Sequence, residues 1–227
     1  MNERSKTPAR IVDSARRLFN EKGYSATALA EIAADLGISQ GNLTYHFRTK
    51  RDIVHQLEIL VEDTMRNRWR RQEEGEIAED YVEHLAFAMR MTWDIRFMLR
   101  DYAQFSDDPN WLRSNPYLLA DYDELRSLLG RLKREGSFRA DVKTDFDVIA
   151  RTLWMTSRYW MDHLRELEGK EQFEWDDLER GVLHHFALLS HFLKPTARDK
   201  LSTAIQGTLR VMKRIDPQAN AGTIRFS

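Results

Sequence analysis

The chain has 227 residues and no cysteine; it is 42% hydrophobic and 11% aromatic, with 35 Lys/Arg against 36 Asp/Glu for a net charge of −1. That balance supports a buried core and excludes wholesale disorder, and the missing cysteines exclude disulfides, zinc–thiolate sites and cysteine nucleophiles. No apolar run reaches the roughly 18–20 residues that span a bilayer, and no apolar segment follows the basic start MNERSKTPAR, so a soluble, cytoplasmic protein with no membrane partner is expected.

From Thr7 to Lys22, Ile11, Ala15, Leu18 and Phe19 form one apolar stripe at helical spacing. Pro8 stands where a first turn tolerates it, Arg4, Lys6 and Arg10 are placed to reach DNA, and Gly23 closes the helix. YSAT is a short connection with Thr27 as N-cap, and Leu29, Ile32, Ala33 and Leu36 give a second, short helix ended by Gly37. Ser39 caps a third, about Gln40 to Phe47. Thr49 and Asp52 then match a capping box opening a longer helix to about Arg71.

QEEGE, Gln72–Glu76, marks a break. Helices are predicted from about Ile77 to Phe105, with a break near Asp94, and from Asn115-Pro116 to Gly136 after the loop SDDPNW. Thr144 with Asp147 opens another to about Leu167, followed by Trp175 to Leu193 and Pro195 to Lys213. Only ten glycines and five prolines interrupt the chain, and no segment alternates with a period of two, so the fold class is all-α.

Two short helices joined by a glycine-containing turn form a helix-turn-helix unit, whose second helix enters the DNA major groove. At about 100° per residue, Leu43 and Phe47 face inward while Gly41, Asn42 and Tyr45 face outward, flanked by Thr44 and His46. Asn reads adenine, and Thr and Tyr donate to phosphate or meet a thymine methyl. Thr27 and Thr49-Lys50 stand at helix N-termini, whose free N–H groups suit phosphate oxygens. Residues 1–50 hold eight Lys/Arg against five Asp/Glu, a local positive excess in a chain of negative net charge.

The segment Thr7 to Asp52, TPARIVDSARRLFNEKGYSATALAEIAADLGISQGNLTYHFRTKRD, resembles the DNA-binding domain of the tetracycline-repressor (TetR) family of bacterial regulators. The similarity lies in A…LF…G of the first helix, T…IA…LGIS.G.L across the turn, and HF..K at the end. It implies a three-helix DNA-binding head, a larger helical body for ligand binding and dimerisation, and a homodimer on palindromic double-stranded DNA. By matching position, Gln40 and Asn42 reach bases, and Thr27, Tyr45, His46 and Lys50 hold phosphates; Thr49 joins the phosphate set from its place at a helix N-terminus. Where family members often carry tyrosine after the motif leucine, this chain has Thr44 and then Tyr45; Tyr45 is taken for the phosphate and Thr44 for a base, with the main phosphate contact from Thr44 as the alternative. The expected domains are 1–52 for DNA binding, 53–215 for the helical body and 216–227 for a loose tail.

In the body, Met89, Trp93, Phe97, Tyr102, Phe105, Trp154, Arg158 and Tyr159 are expected to line a pocket for an apolar or aromatic small molecule; the competing reading places most of them in the core. Leu178, Val182, Phe186, Leu189 and Phe192 spread around a wide arc of one helix and mark a candidate dimer interface. His184, His185 and His191 share that helix, but there is no HExxH, GxSxG elbow, Walker loop or dinucleotide fingerprint, so neither metal, cofactor nor catalysis is expected. The reading is a ligand-responsive repressor. Its alternatives are an activator or global regulator of the same fold without a small-molecule ligand, a helical enzyme or metal-binding protein, and a helix-turn-helix used for protein contact.

Overall fold

A computed structural model of the chain describes residues 3–70, 75–106, 116–143 and 145–214. Most of the SDDPNW loop with Trp111, Asn115, Thr144 and the tail 216–227 lie outside the described residues. The elements are α1 (Glu3–Lys22), α2 (Leu29–Asp35), α3 (Gln40–His46), α4 (Lys50–Arg70), α5 (Ile77–Asp94) and α6 (Arg96–Arg100), with a 3-10 turn at Tyr102–Gln104. They continue with α7 (Pro116–Arg134), α8 (Phe146–Arg158), α9 (Trp160–Leu167), α10 (Trp175–Ser190) and α11 (Pro195–Arg214). Among the described residues there is no strand beyond a single antiparallel bridge, Phe138 to Leu193, and no helix is long and apolar enough to cross a membrane. The fold is all-α.

The chain forms two compact units, divided differently from the expected boundary at residue 52. One unit, the head, comprises the described residues up to Arg70 together with 94–106. Its core joins Ile11, Ala15 and Phe19 of α1, Ile32 of α2, Leu43 of α3 and Ile53, Val54 and Leu57 of α4 with Ile95, Phe97, Met98 and Phe105. A cut at residue 52 would strip α4 from that core. Ser14 donates to Asp35 Oδ2 at 2.6 Å and Arg17 pairs with the same carboxylate, tying the end of α2 to α1 and holding Asp35 below the usual carboxylate range.

Two local readings change here. α1 already begins at Glu3, so Pro8 lies inside it and Arg4 and Lys6 are helical and not a leading arm; the charged residues before the proline favour helix themselves. The cap of α2 is Ala28, whose N–H donates to Glu31 at 2.8 Å.

The expected break near Asp94 has a specific cause. Asn20, buried on α1, donates through Nδ2 to the Asp94 carbonyl at 2.9 Å and accepts the Phe97 N–H at 3.0 Å. It thereby satisfies the last turn of α5 and the first of α6, as a cap residue would.

The other unit, the body, packs α5 up to Trp93 with α7–α11 around Tyr81, Leu85, Met89, Leu128, Leu153, Leu178, Val182 and Leu189. Asp145 caps α8, accepting from Asp147 N at 3.0 Å and Val148 N at 3.2 Å. The long helix expected to reach Leu167 bends at Tyr159 (φ −106°, ψ 11°) into α8 and α9. The bend turns Trp160 inward, where its indole donates to the Asp177 carbonyl at 2.6 Å, and leaves Tyr159 52% exposed. Gly181 is required at the crossing: a Cβ there would stand 2.4 Å from Met89 Cε and 2.6 Å from Trp160 Cδ1.

Candidate DNA-binding surface

The turn between α2 and α3 is set by two residues. Gly37 adopts φ +66°, the left-handed region that side chains with a Cβ disfavour, while the N–H groups of Gly37 and Ile38 return to the carbonyls of Ala34 (3.1 Å) and Ala33 (3.0 Å). Ser39 then caps α3, its Oγ accepting the Asn42 N–H at 3.1 Å. Leu43 is fully buried and Phe47 nearly so, which locks a seven-residue helix too short to persist alone.

This packing fixes the outer face. Gln40, Gly41, Asn42 and Tyr45 are exposed, Tyr45 at 85%, and Thr44 and His46 are half-buried beside them. The rings of Tyr45 and His46 meet edge-on at 5.1 Å. Thr44 donates its hydroxyl proton to the carbonyls of Gln40 (3.0 Å) and Gly41 (3.2 Å), so toward a base edge it offers an acceptor lone pair and a methyl group.

The phosphate candidates divide. Thr49 and Asp52 form the expected capping box: Thr49 N–H donates to Asp52 Oδ2 at 2.9 Å and Asp52 N–H to Thr49 Oγ1 at 3.2 Å. Thr49 is exposed and its hydroxyl proton remains available to an acceptor. Thr27 does not share this surface. It is 1% exposed, and its hydroxyl donates to the Gly23 carbonyl at 2.8 Å, because it closes the end of α1 from inside. The phosphate assignment to its side chain is therefore corrected.

Lys50 is turned toward the α1–α2 loop. Its Nζ donates to the carbonyls of Tyr24 (2.6 Å) and Ser25 (3.4 Å) and lies 4.5 Å from the centre of the Tyr24 ring; burial lowers its pKa. The same loop is gripped from the 94–106 segment. Asp101 accepts the Tyr24 N–H at 2.8 Å, Ser25 donates to Gln104 at 2.5 Å, and Phe105 meets the Tyr24 ring at 5.2 Å. Arg100 closes the set, donating to the Phe19 carbonyl at 3.0 Å and to Asp101 at 2.7 and 2.8 Å. None of these partners on the loop is near its mate in sequence. The one local signal was the glycine at 23, whose φ of +97° lets the loop lie against Arg100 and Asp101.

The segment that carries the helix-turn-helix is similar to known proteins. Residues 11–57 match the family model described as bacterial regulatory proteins, tetR family, and residues 61–201 match that of a bacterial transcriptional repressor, TetR. The chain belongs to the TetR family.

Over 109 residues it is 31% identical to the negative transcriptional regulator IcaR of the Staphylococcus aureus biofilm operon icaADBC, covering 48% of this chain and 58% of that protein. The match thus spans little more than half of the relative. A TetR-family transcriptional regulator from Marinobacter aquaeolei VT8 superposes with a TM-score of 0.70 at 24% identity, covering 91% of this chain and 98% of the other. CprB from Streptomyces coelicolor, solved in complex with its operator, gives 0.61 at 22%, covering 94% and 100%. These two likenesses concern the fold. The TetR family and the IcaR relative are regulators of transcription, which answers the enzyme reading.

The residues expected to form a ligand pocket are shared between the two units. Phe97 and Phe105 are buried in the head core, Phe97 meeting Phe19 at 5.1 Å, and Tyr102 packs on Phe105 at 5.8 Å. Met89 and Trp93 are buried in the body core. Also in the body, the Trp154 indole donates to Asp121 at 3.1 Å, and Arg158 is buried with its guanidinium 5.1 Å from the ring of exposed Tyr159.

The expected dimer residues also divide. Leu178, Val182 and Leu189 are buried within this chain's own core, and Phe186 and Phe192 pack partly against it. The exposed apolar residues of α10 are instead Leu183 and Leu188, joined on α8 by Val148 and Met155 and at its end by Tyr159. Of the three histidines, His185 is buried between Ser157 Oγ and Tyr81 OH, each at 2.8 Å, while His184 lies exposed against Trp160 at 4.7 Å and His191 is exposed.

Proposed function

We propose that the chain is a ligand-responsive transcriptional repressor of the cytoplasm that binds a palindromic operator as a homodimer. Gln40, Asn42 and Thr44 read bases, and Tyr45, His46, Thr49 and Lys50 hold phosphates. The observation that carries this reading is the outer face of α3: exposed, free of acidic groups, and pinned from beneath by Leu43 and Phe47. The negative regulation named for IcaR and the operator bound by CprB support it.

Dimerisation is assigned to the outer face of α8 and α10, with Val148, Met155, Tyr159, Leu183 and Leu188 meeting their copies around a two-fold axis. Ligand control is assigned to the segment 94–106. A ligand that favours one arrangement of the body over another shifts α5, whose end at Asp94 is held by Asn20, and so shifts the loop that positions Lys50. The test is binding to a selected operator in competition with unrelated DNA at physiological salt. The reading expects retention of the operator alone; equal loss of both DNAs would overturn it.

A further inference from the structure

The outward stripe of α10 reads Leu183, His184, Ala187, Leu188 and His191, all exposed. It belongs to the face assigned above to dimerisation. His184 and His191 stand two turns apart, so at about 100° per residue they project within about 20° of each other. His191 keeps helical backbone angles (φ −64°, ψ −26°), and the spacing holds to the end of the helix.

Both rings are set in the same way. Nδ1 of His184 lies 2.8 Å from the Arg180 carbonyl oxygen, and Nδ1 of His191 lies 2.8 Å from that of Ala187. A carbonyl oxygen only accepts, so each Nδ1 carries a proton and donates it, and the neutral ring keeps its lone pair on Nε2. Metal-ligating histidines are oriented in this manner, their other nitrogen donating to a backbone carbonyl. His184 is steadied further by the Trp160 ring at 4.7 Å. The neighbouring cation, Arg180, is already paired with Glu168 at 2.6 Å.

One chain does not complete a site. Two turns of helix rise about 10 Å, too far for two imidazoles held side by side to share an ion. Among the described residues no three His, Asp or Glu side chains converge in a way that could hold one. A second copy changes this. Ala187 has the smallest side chain of the stripe, and packed helices approach most closely where side chains are small. Along the axis, His184 is about 4.5 Å before Ala187 and His191 about 6 Å after it. An antiparallel two-fold contact centred on Ala187 therefore sets His184 of one copy beside His191 of the partner subunit, and does so twice.

We propose that α10 carries half of a transition-metal site that a second copy completes. Nε2 of His184 and Nε2 of the partner subunit's His191 ligate one imidazole-preferring divalent ion of the zinc class, with water in the remaining positions. This rests on the dimer face proposed above. An ion held only by the dimer stabilises it by mass action.

The probe is zinc ion added to the full chain without a histidine tag, with magnesium ion as the oxygen-preferring control and EDTA for the metal-free state. Sedimentation equilibrium follows dimer dissociation, and calorimetry follows zinc binding. Zinc should tighten the dimer at least tenfold at one ion per chain, and magnesium should not. Because each site takes one histidine of each kind, His184→Gln or His191→Gln alone should remove both sites of the dimer. A mixture of the two variants should recover binding in its heterodimers. Should His184→Gln lower the thermal midpoint, His191→Gln decides alone. No zinc binding, an equal effect of magnesium, loss of only half the capacity on a single substitution, or no recovery in the mixture would overturn the proposal. A chain that is monomeric in EDTA and in zinc alike overturns the dimer face as well, whereas a dimer that binds no zinc overturns this site alone.

Discussion

Lys50 Nζ donates to the Tyr24 carbonyl oxygen at 2.6 Å while lying over the same residue's ring, so one ammonium ties the start of α4 to the loop that ends α1. A charge expected to meet phosphate thus also has an internal role. Lys50→Ala should weaken binding to every DNA sequence alike and reduce the salt slope by about 0.9 for each phosphate that the lysine neutralises. It should also loosen the loop. Titrations across a salt series would show the first effect, and hydrogen exchange at Tyr24 and Ser25 the second; an unchanged slope contradicts the phosphate role.

Asn42 is exposed on α3 and its side chain is not used to cap the helix, a task left to Ser39. Asn42→Ala should therefore leave stability nearly unchanged and cost about 1–3 kcal/mol at one operator position if the contact is bidentate. Affinities for single-base operator variants measure this. A uniform loss at all positions would assign Asn42 to the backbone instead.

Gly181→Ala places a methyl within 2.6 Å of Trp160 and 2.4 Å of Met89. The methionine tip can move, but the indole is held by the Asp177 carbonyl, so overpacking of about 1–3 kcal/mol is expected. Chemical denaturation of the two chains would measure it, and equal midpoints would contradict the packing described.

His185 is buried with both ring nitrogens engaged, and burial, with the nearby His84, lowers its pKa from 6.5 to about 3. Its folded pKa lies below its unfolded one, so the unfolded chain binds the extra proton. The neutral imidazole's contribution is fully present above pH 6.5 and is lost as pH falls toward 3, at up to about 1.4 kcal/mol per pH unit. Urea unfolding from pH 7 to pH 5 should show this fall in the parent chain, and a shallower one in His185→Gln. Identical slopes would remove His185 as the cause.

Met155→Glu and Leu183→Glu put a charge at exposed apolar positions of α8 and α10, where the dimer interface is proposed. Each should yield a folded monomer by sedimentation velocity with operator affinity lowered by at least tenfold. An unchanged oligomeric state would move the interface elsewhere.

What could be read from the sequence was local. The Thr49–Asp52 box, the inward pair Leu43 and Phe47, and the break near Asp94 follow from spacings of a few residues, and the structure contains all three. What could not be read depends on partners far apart in the chain. Thr27 has the chemistry of an N-cap, but burial against the end of α1 redirects its hydroxyl. Asn20 and Asp94 are 74 residues apart, and Tyr24 and Asp101 are 77, so no local pattern could assign residues 94–106 to the head. The wide apolar arc of α10 pointed to burial on two sides; which leucines face this chain's own core and which stay outside is decided by how the helix packs.

The central claim is that α3 reads DNA sequence as one of a pair. Selection of bound sites from random double-stranded DNA tests it most directly. The account predicts an inverted repeat whose half-sites place two recognition helices in successive major grooves, about 34–36 Å apart, with the preferred base altered at one symmetric pair of positions when Asn42 is replaced. Recovery of no common motif, or of a single half-site unaffected by that substitution, would contradict it.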